Sequence, residues 1–330
     1  MTHPPSCATT AALLAMLLLA GCGGDSSSSS AGDAGMPFDV AIEQAQDVSR
    51  DDFPATTGRT LQQIADPLPA VQAGLATSVY TPGENRLAFG VIDAANEFIY
   101  GKTAVYLARG PNEEAIGPFP APADPLVVEP PFRSEGAALA TGDIAAIYEA
   151  QVDLPEPGRW SVLAVSRAQG KTYGAATQIE VARDSPIPAP GEPAPRVETE
   201  TLASADGDVA SIDTREPPSD MHEVSFADVS GEKPVALLFA TPQLCQTRVC
   251  GPVVDIAAQL EAKYGDEMEF IHQEVYEDNI VERGLRPPLE RFNLRTEPWL
   301  FTVDAQGRVA ARLEGSFGNE GFERAIRAAL

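Results

Sequence analysis

A proline-rich stretch at residues 185–195 divides the chain into two parts with different hydrophobic patterns. Proline lacks a backbone N–H and restricts φ, so this stretch is expected to be an extended, semi-rigid spacer rather than part of a helix or sheet. Because 330 residues suffice for about two domains, the sequence predicts one domain on each side. The predicted limits are 70–183 for the first domain, 184–222 for a proline-rich acidic linker and 223–330 for the second domain.

Short apolar runs separated by Gly, Pro and Asn clusters fill the first domain, for example at residues 86–93 and 103–108. This pattern is typical of an all-β sandwich, and we expect an immunoglobulin-like sandwich over residues 70–183 with Trp160 in its core. Seven prolines within residues 111–131 exclude central strands there and predict a long surface loop. No group of catalytic residues stands out, so the expected role is a binding or spacer module.

The N-terminal residues resemble a bacterial secretion signal. Residues 11–20 form an apolar run that is too short to span a bilayer but has the length of a signal-peptide core. The run leads into Leu19-Ala20-Gly21-Cys22, which resembles the lipobox of bacterial lipoproteins. The resemblance implies a signal peptide over residues 1–21, a lipid on Cys22 and a location on the extracytoplasmic face of the cell membrane. The head departs from the signal pattern because it contains no Lys or Arg.

Residues 22–60 are predicted to be a flexible tether, Gly/Ser-rich at first and acidic afterwards. Five consecutive serines at 26–30 belong to a composition that cannot bury a core. A short helix is expected near residues 38–48. The whole chain is acidic, with 48 Asp and Glu against 23 Lys and Arg and a formal net charge of −25. This charge excludes a surface that neutralises nucleic-acid phosphates, so nucleic acid is not an expected partner.

Beyond residue 234 the pattern alternates between strands and helices. A continuous apolar run at 235–240 predicts a central strand, and apolar residues at helical spacing in 253–264 predict the following helix. The complete order βαβαββα predicts an α/β fold with a central mixed sheet flanked by helices. The remaining predicted elements are strands at 268–275, 299–303 and 308–313, helices at 287–292 and 320–330, and a hairpin turn at 304–307.

Two cysteines fall between the first strand and the first helix of this second pattern. The chain has four cysteines, and Cys7 is expected to leave with the signal while Cys22 takes the lipid. Cys245 and Cys250 can then pair only with each other within one chain. A helix that begins at Pro252 would place Cys250 nearest its positive end, where a thiolate is stabilised. Cys250 is therefore the expected nucleophile and Cys245 the resolving partner, although the spacing leaves the reverse order open.

Residues 224–330 resemble the thioredoxin superfamily. The resemblance rests on the element order, the cysteine pair, the sequence CGPV that begins at Cys250, and Pro298, which stands where the superfamily has a cis-proline facing its cysteines. It implies a thiol-disulfide oxidoreductase that works through Cys245 and Cys250, needs no cofactor and takes protein thiols or disulfides of the cell envelope as partners. Glu297, beside Pro298, would carry a proton to or from a thiol.

Three alternatives remain open. The CxxxxC spacing is similar to that of the peroxiredoxin Q group and implies a thiol peroxidase, although Thr241 lies four residues before Cys245 and not three as in that group. The pair can instead be a structural disulfide in a non-enzymatic binding or adaptor lipoprotein. The third alternative is a copper or zinc ion held by the two thiols and a histidine, His222 or His272, since Sco-type copper chaperones of the same fold use a cysteine pair and a distant histidine.

Overall fold

The computed structural model describes residues 38–135, 144–245 and 250–330. The predicted signal peptide, the lipobox and Cys22 lie outside these ranges, and lipidation stays an expectation. Within the described part, no helix is both long and apolar enough to cross a membrane. The α-helices are α1 (Phe38–Gln46), α2 (Leu61–Ala65), α3 (Phe226–Val229), α4 (Cys250–Tyr264), α5 (Pro287–Arg291) and α6 (Asn319–Ala329).

The first half of the described chain consists mainly of strands. They are β1 (Ala70–Leu75), β2 (Gly83–Ile92), β3 (Lys102–Ala108), β4 (Ile116–Pro120), β5 (Ala123–Pro125), β6 (Ala146–Leu154), β7 (Gly158–Ala168) and β8 (Lys171–Val181). They form one sheet in the order β4-β3-β7-β8-β1-β2-β6-β5. Neighbouring strands are antiparallel except β1 and β8, which pair in parallel at Ala70 and Val71 before β1 continues along β2. The sheet is therefore mixed, with β1 as the strand that joins its two halves.

The two halves of this sheet share one hydrophobic core. Phe89 and Tyr148, from β2 and β6, belong to the same buried cluster as Val105 and Trp160, from β3 and β7. Phe89 and Tyr148 stack with their ring centroids 5.6 Å apart. Trp160 is buried, as its place in the alternating pattern predicts. The region is sheet-rich as expected, and its immunoglobulin-like arrangement stays a prediction.

The proline-rich stretch at 111–131 is not only a loop. It contains β4 and β5, which are the two outermost strands of the sheet. Pro118 and Pro120 lie within β4, and Pro125 ends β5. Proline cannot donate a hydrogen bond to a neighbouring strand, but an edge strand has one side without a partner and tolerates it. The exclusion of central strands was therefore correct, and the prediction of a long loop was wrong at these two edges.

A second, four-stranded sheet follows in the order β10-β9-β11-β12. Its strands are β9 (Val235–Phe239), β10 (Glu269–Gln273), β11 (Trp299–Val303) and β12 (Val309–Glu314). β9 and β10 are parallel, while β11 is antiparallel to both β9 and β12. With α4, α5 and α6 between and after the strands, the chain order is βαβαββα, which is the mixed sheet flanked by helices that the sequence predicts.

Alternate residues of the second sheet face two different hydrophobic clusters. On one face, Leu238 and Leu300 pack with Val254 of α4 and Ile326 of α6. On the other face, neighbouring residues of the same strands pack with Phe226 of α3 and with Leu289 and Phe292 at α5. Strands buried on both faces need apolar side chains at every position, and this explains the continuous apolar run at residues 235–240.

Two segments predicted to lie outside the folded domains, the flexible tether and the extended linker, pack against these sheets. Part of the predicted tether forms α1 at the expected position, with Ile42 and Ala45 buried against the first sheet. The predicted linker 184–222 is mostly irregular, but Ile187 lies in a core cluster and Arg215 forms a buried ion pair. Buried apolar residues and a buried ion pair thus hold parts of both segments in the folded structure. The described residues form one compact unit, and the limits of the two predicted domains stay predictions.

Candidate functional site

The structure brings Cys245 and Cys250 together at the carboxyl end of β9. Cys245 lies in the segment between β9 and α4, and Cys250 is the first residue of α4. Both are thiols and not a disulfide. The Cys250 thiol is hydrogen-bonded to Cys245 and to the backbone of Thr241, which follows β9 closely. The two sulfur groups are thus close enough for exchange with each other.

The two thiols differ in their access to solvent. Cys250 is 0 % exposed and belongs to the cluster between the second sheet and α4, whereas Cys245 is partly exposed. Burial raises the pKa of the Cys250 thiol well above its ordinary value, and the nearby Cys245 and Glu297 raise it further. The expected stabilisation of a Cys250 thiolate by the helix terminus is therefore outweighed by desolvation. Cys245 is the thiol that an external substrate can reach, which is the reverse of the preferred sequence assignment.

Pro298 lies at the same end of the second sheet as the cysteines. The Glu297–Pro298 peptide bond is cis, as the resemblance implied. Trp299, the first residue of β11, pairs with Phe239, the last residue of β9. This register places the Pro298 backbone beside the segment that carries Cys245, and the Pro298 carbonyl accepts a hydrogen bond from the Gly315 N–H at 2.8 Å.

Glu297 is the acidic group of the site. Burial and the neighbouring Cys245 charge raise its pKa above the ordinary value, and the Tyr276 hydroxyl donates a hydrogen bond to its carboxylate. Burial also raises the pKa of Tyr276 to about 12, so Tyr276 stays a hydrogen-bond donor at neutral pH. A carboxyl group with a raised pKa is suited to exchanging a proton with a thiol.

Tyr276 is a site residue that the sequence reasoning missed. It follows β10, whose last residue, Gln273, pairs with Phe239 at the end of β9. Parallel pairing of β9 and β10 therefore carries the chain from β10 to the same end of the sheet as Cys245 and Cys250. A prediction that located both strand ends would have pointed to residues just after β10, but no motif marks this tyrosine.

A cavity of about 340 Å³ lies beside Glu297. Its walls come from both sheets: Leu75, Ile92 and Phe98 belong to the first sheet or the turn after it, while Thr296 and Glu297 precede the cis-proline. Most of the cavity surface is apolar. The cysteine site is therefore flanked by a space that a side chain of a bound peptide could fill.

The two histidines singled out in the sequence lie in different surroundings, and so does Arg295, which is exposed and lines a separate cavity with Asn293 and Pro186. His222 and His272 are buried and contact Asp213 rather than forming a shared cluster with the thiols.

No protein-family model and no curated protein matches the chain. Among solved structures, it is similar to a thiol:disulfide interchange protein of the thioredoxin family from Chlorobium tepidum, with 17% identity over 44% of this chain and 98% of that one and a TM-score of 0.30. A DsbE-type protein from the same organism has 17% identity over 43% and 98% of the two chains and a TM-score of 0.32. An endo-beta-1,4-mannanase from Thermotoga petrophila has 15% identity over 34% and 20% and a TM-score of 0.20.

Proposed function

We propose that the protein is a thiol-disulfide oxidoreductase that acts through Cys245 and Cys250. The observation that carries this proposal is the pairing of a partly exposed thiol with a buried one, hydrogen-bonded to each other at the start of α4. Exchange chemistry requires one sulfur that reaches the substrate and a second one that reaches the first. Glu297 and cis-Pro298 complete the surroundings of the pair.

In the first step, the Cys245 thiolate attacks one sulfur of a substrate disulfide. The substrate S–S bond breaks, a disulfide between Cys245 and the substrate forms, and the second substrate sulfur leaves as a thiolate that takes up a proton. The extended backbone of the substrate would lie along Pro298, with a side chain in the cavity lined by Thr296 and Leu75.

In the second step, Cys250 loses its proton and attacks the sulfur of Cys245. The mixed disulfide breaks, the Cys245–Cys250 disulfide forms, and the remaining substrate sulfur leaves as a thiolate. Because burial disfavours the Cys250 thiolate, this step needs a proton acceptor, and Glu297 is close enough for its charge to act on Cys250. The two steps together reduce the substrate and oxidise the protein, and their reverse oxidises a substrate dithiol.

The proposed substrates are protein thiols or disulfides of the cell envelope. This part of the proposal rests on the lipobox resemblance at Cys22, which would hold the protein on the extracytoplasmic face of the membrane. An oxidising compartment suits a cysteine pair that cycles between thiol and disulfide.

The reduction potential of the Cys245/Cys250 pair tests the proposal. Protein beginning at residue 23 has these two as its cysteines, and it can be equilibrated in glutathione or dithiothreitol buffers before its thiols are alkylated and counted by mass. A value between about −120 and −270 mV supports exchange chemistry. A value below about −300 mV would instead identify a structural disulfide and the non-enzymatic adaptor.

Two single variants test the order of the cysteines. Cys250→Ser leaves the exposed thiol in place and is expected to accumulate a mixed disulfide with a peptide disulfide. Cys245→Ser leaves only the buried thiol and should form at least about tenfold less of it, because a buried thiol is rarely ionised. Equal trapping by both variants, or more by Cys245→Ser, would contradict the assignment of Cys245 as the attacking residue.

A further inference from the structure

Three buried side chains form a cluster that the thiol chemistry does not use. Asp213 and His222 come from the segment 184–222, and His272 lies on β10. One ligand-type atom from each side chain lies within 4.8 Å of the other two. We propose that Asp213, His222 and His272 form a binding site for a zinc-type divalent cation, independent of the proposed thiol exchange.

The distances within the cluster suit a tetrahedral metal ion. Oδ2 of Asp213 lies 3.0 Å from Nε2 of His222 and 3.5 Å from Nδ1 of His272. Zinc holds nitrogen and oxygen ligands at about 2.0–2.2 Å in tetrahedral geometry, which separates neighbouring ligand atoms by about 3.4 Å. The two measured separations lie on either side of this value. The shorter one is a hydrogen bond between His222 and the carboxylate, so an ion would replace the proton in that bond and needs small side-chain shifts.

The hydrogen bonding of His272 leaves one ring nitrogen aimed at the cluster without a hydrogen-bond partner. Nε2 of His272 lies 3.0 Å from the carbonyl oxygen of Ala240 and must donate to it, because a carbonyl only accepts. In the neutral ring, Nδ1 then carries a lone pair that faces the Asp213 carboxylate. Nδ1 is fully buried and has no hydrogen-bond partner among the described residues. Two acceptors facing each other in a buried place repel each other unless a cation, either a proton or a metal ion, lies between them.

Groups around the cluster hold the candidate ligands in position. The backbone N–H and the hydroxyl of Ser219 both donate to Oδ2 of Asp213 at 2.8 Å. The backbone N–H of Arg215 donates to Oδ1 at 2.8 Å. The carbonyl of Ala240 orients His272 in the same way. Metal-binding carboxylates and histidines are characteristically fixed by such outer hydrogen bonds, and a histidine often gives its second N–H to a backbone carbonyl.

The charge balance also favours a cation. Besides Asp213, the buried Glu274 is close enough for its charge to act on both histidines. One Glu274 oxygen accepts hydrogen bonds from Thr214, while the other has no partner in the described part of the chain. If both imidazoles are neutral, as ligands of a metal ion must be, the two carboxylates leave uncompensated negative charge in the interior, which is costly. A divalent cation offsets this charge.

The test is zinc content after refolding, because the buried ligands require the ion to enter before the chain closes over them. Protein beginning at residue 23 is refolded with Zn²⁺, freed of loosely bound metal by gel filtration and analysed by plasma mass spectrometry. We expect about one zinc per folded chain. Asp213→Asn and His272→Gln should each lower zinc retention at least about tenfold, while Asp153→Asn, at an exposed position of β6, should retain it.

A double variant, Cys245→Ser with Cys250→Ser, separates this site from a thiol site. It should keep its zinc, and loss of zinc from it would overturn the proposal. If the ligand variants do not fold, the wild-type protein decides: its melting temperature should be higher after refolding with Zn²⁺ than after refolding with a chelator. Folded wild-type protein without zinc, whose His272 carries protons on both ring nitrogens by nitrogen NMR at neutral pH, would show that a proton occupies the place of the ion.

Discussion

The charge of Glu297 affects how the thiols of the site ionise. Its negative charge contributes to the raised pKa of Cys250. Replacing Glu297 by Gln removes this charge and should lower the pKa of Cys250, which thiolate absorbance measured against pH will show. The same change removes the proposed proton acceptor and should slow resolution of the mixed disulfide by about 100-fold at neutral pH.

Glu282→Gln is a suitable control for this experiment, since Glu282 is exposed in a 3₁₀ turn and is not among the charges that act most strongly on Cys250. It should change neither the thiolate titration nor the rate of resolution. If Glu297→Gln resolves the mixed disulfide at the wild-type rate, Glu297 is not the proton acceptor.

At the level of single residues, the sequence predicted which candidate residues lie close together better than it predicted which thiol is accessible. Local spacing and family resemblance pointed to Cys245, Cys250, Glu297 and Pro298, and the structure places them together. The difference in burial between the two cysteines depends on packing between α4 and the second sheet, which a short motif does not contain. Tyr276 was missed for a related reason, because its position depends on how β10 pairs with β9.

At the level of elements, the N-terminus of α6 is held by a carboxylate from the first sheet. Asp124 of β5 accepts hydrogen bonds from the backbone N–H groups of Gly318, Glu320 and Gly321 at 2.8–2.9 Å. Burial nevertheless raises the pKa of Asp124 to about 6. Its environment thus opposes ionisation more strongly than the helix terminus favours it.

This shift gives α6 a pH-dependent anchor. The pKa of Asp124 is higher in the folded protein than in the unfolded chain, so the folded state binds the proton more tightly. Proton binding therefore stabilises the fold at low pH, and this stabilisation is lost as pH rises from about 4 to 6. Asp124→Asn should remove it, so the unfolding free energy of the variant relative to wild type should rise by up to about 3 kcal/mol over that range. Denaturant unfolding at several pH values measures this difference. Asp153→Asn should show no such trend, and a flat difference for Asp124→Asn would contradict the raised pKa.

Element prediction succeeded in the second half of the chain and was less complete in the first. Buried strands and amphipathic helices give clear periodicity, as in 235–240 and 253–264. The sequence predicted that α4 begins at Pro252, but the helix begins at Cys250. A proline is tolerated in the first turn of a helix, because an N–H there would have no partner within the helix. The edge strands β4 and β5 carry prolines that mask their periodicity, so local pattern alone could not identify them.

At the level of the whole molecule, Arg86 connects the two sheets. Its guanidinium pairs with Glu149 of β6 at 2.7 Å and donates to the carbonyl oxygens of Glu314, the last residue of β12, and of Ser316 just after it. Arg86→Ala should lower the unfolding free energy by about 3 kcal/mol, because it leaves buried acceptors without a donor. Arg159→Ala removes an exposed pair with Glu180 and should cost about 0.5 kcal/mol or less. Similar losses for the two variants in denaturant unfolding would contradict a connecting role for Arg86.

The cavity between the sheets offers a test of how the first sheet contributes to substrate choice. Leu75→Trp should fill part of it and lower kcat/KM for a peptide disulfide about tenfold, which corresponds to about 1.4 kcal/mol. The rate with a small disulfide such as oxidised dithiothreitol should stay unchanged, since it needs only the thiols. Leu202→Trp, at an exposed position of the segment 184–222, is the control. Equal loss with both substrates would mean that the tryptophan disturbs the thiols themselves.

The packing of the segment 184–222 also bears on self-association. On one side of the second sheet, Val309 of β12 exchanges two backbone hydrogen bonds with Gly191 and Glu192, and on the other side His272 of β10 donates to the carbonyl of Met221. Open strand edges are the surfaces through which sheets of different molecules join into fibrils or swapped dimers. Here one segment occupies both edges, so growth of this sheet into a polymer requires that the segment first detach.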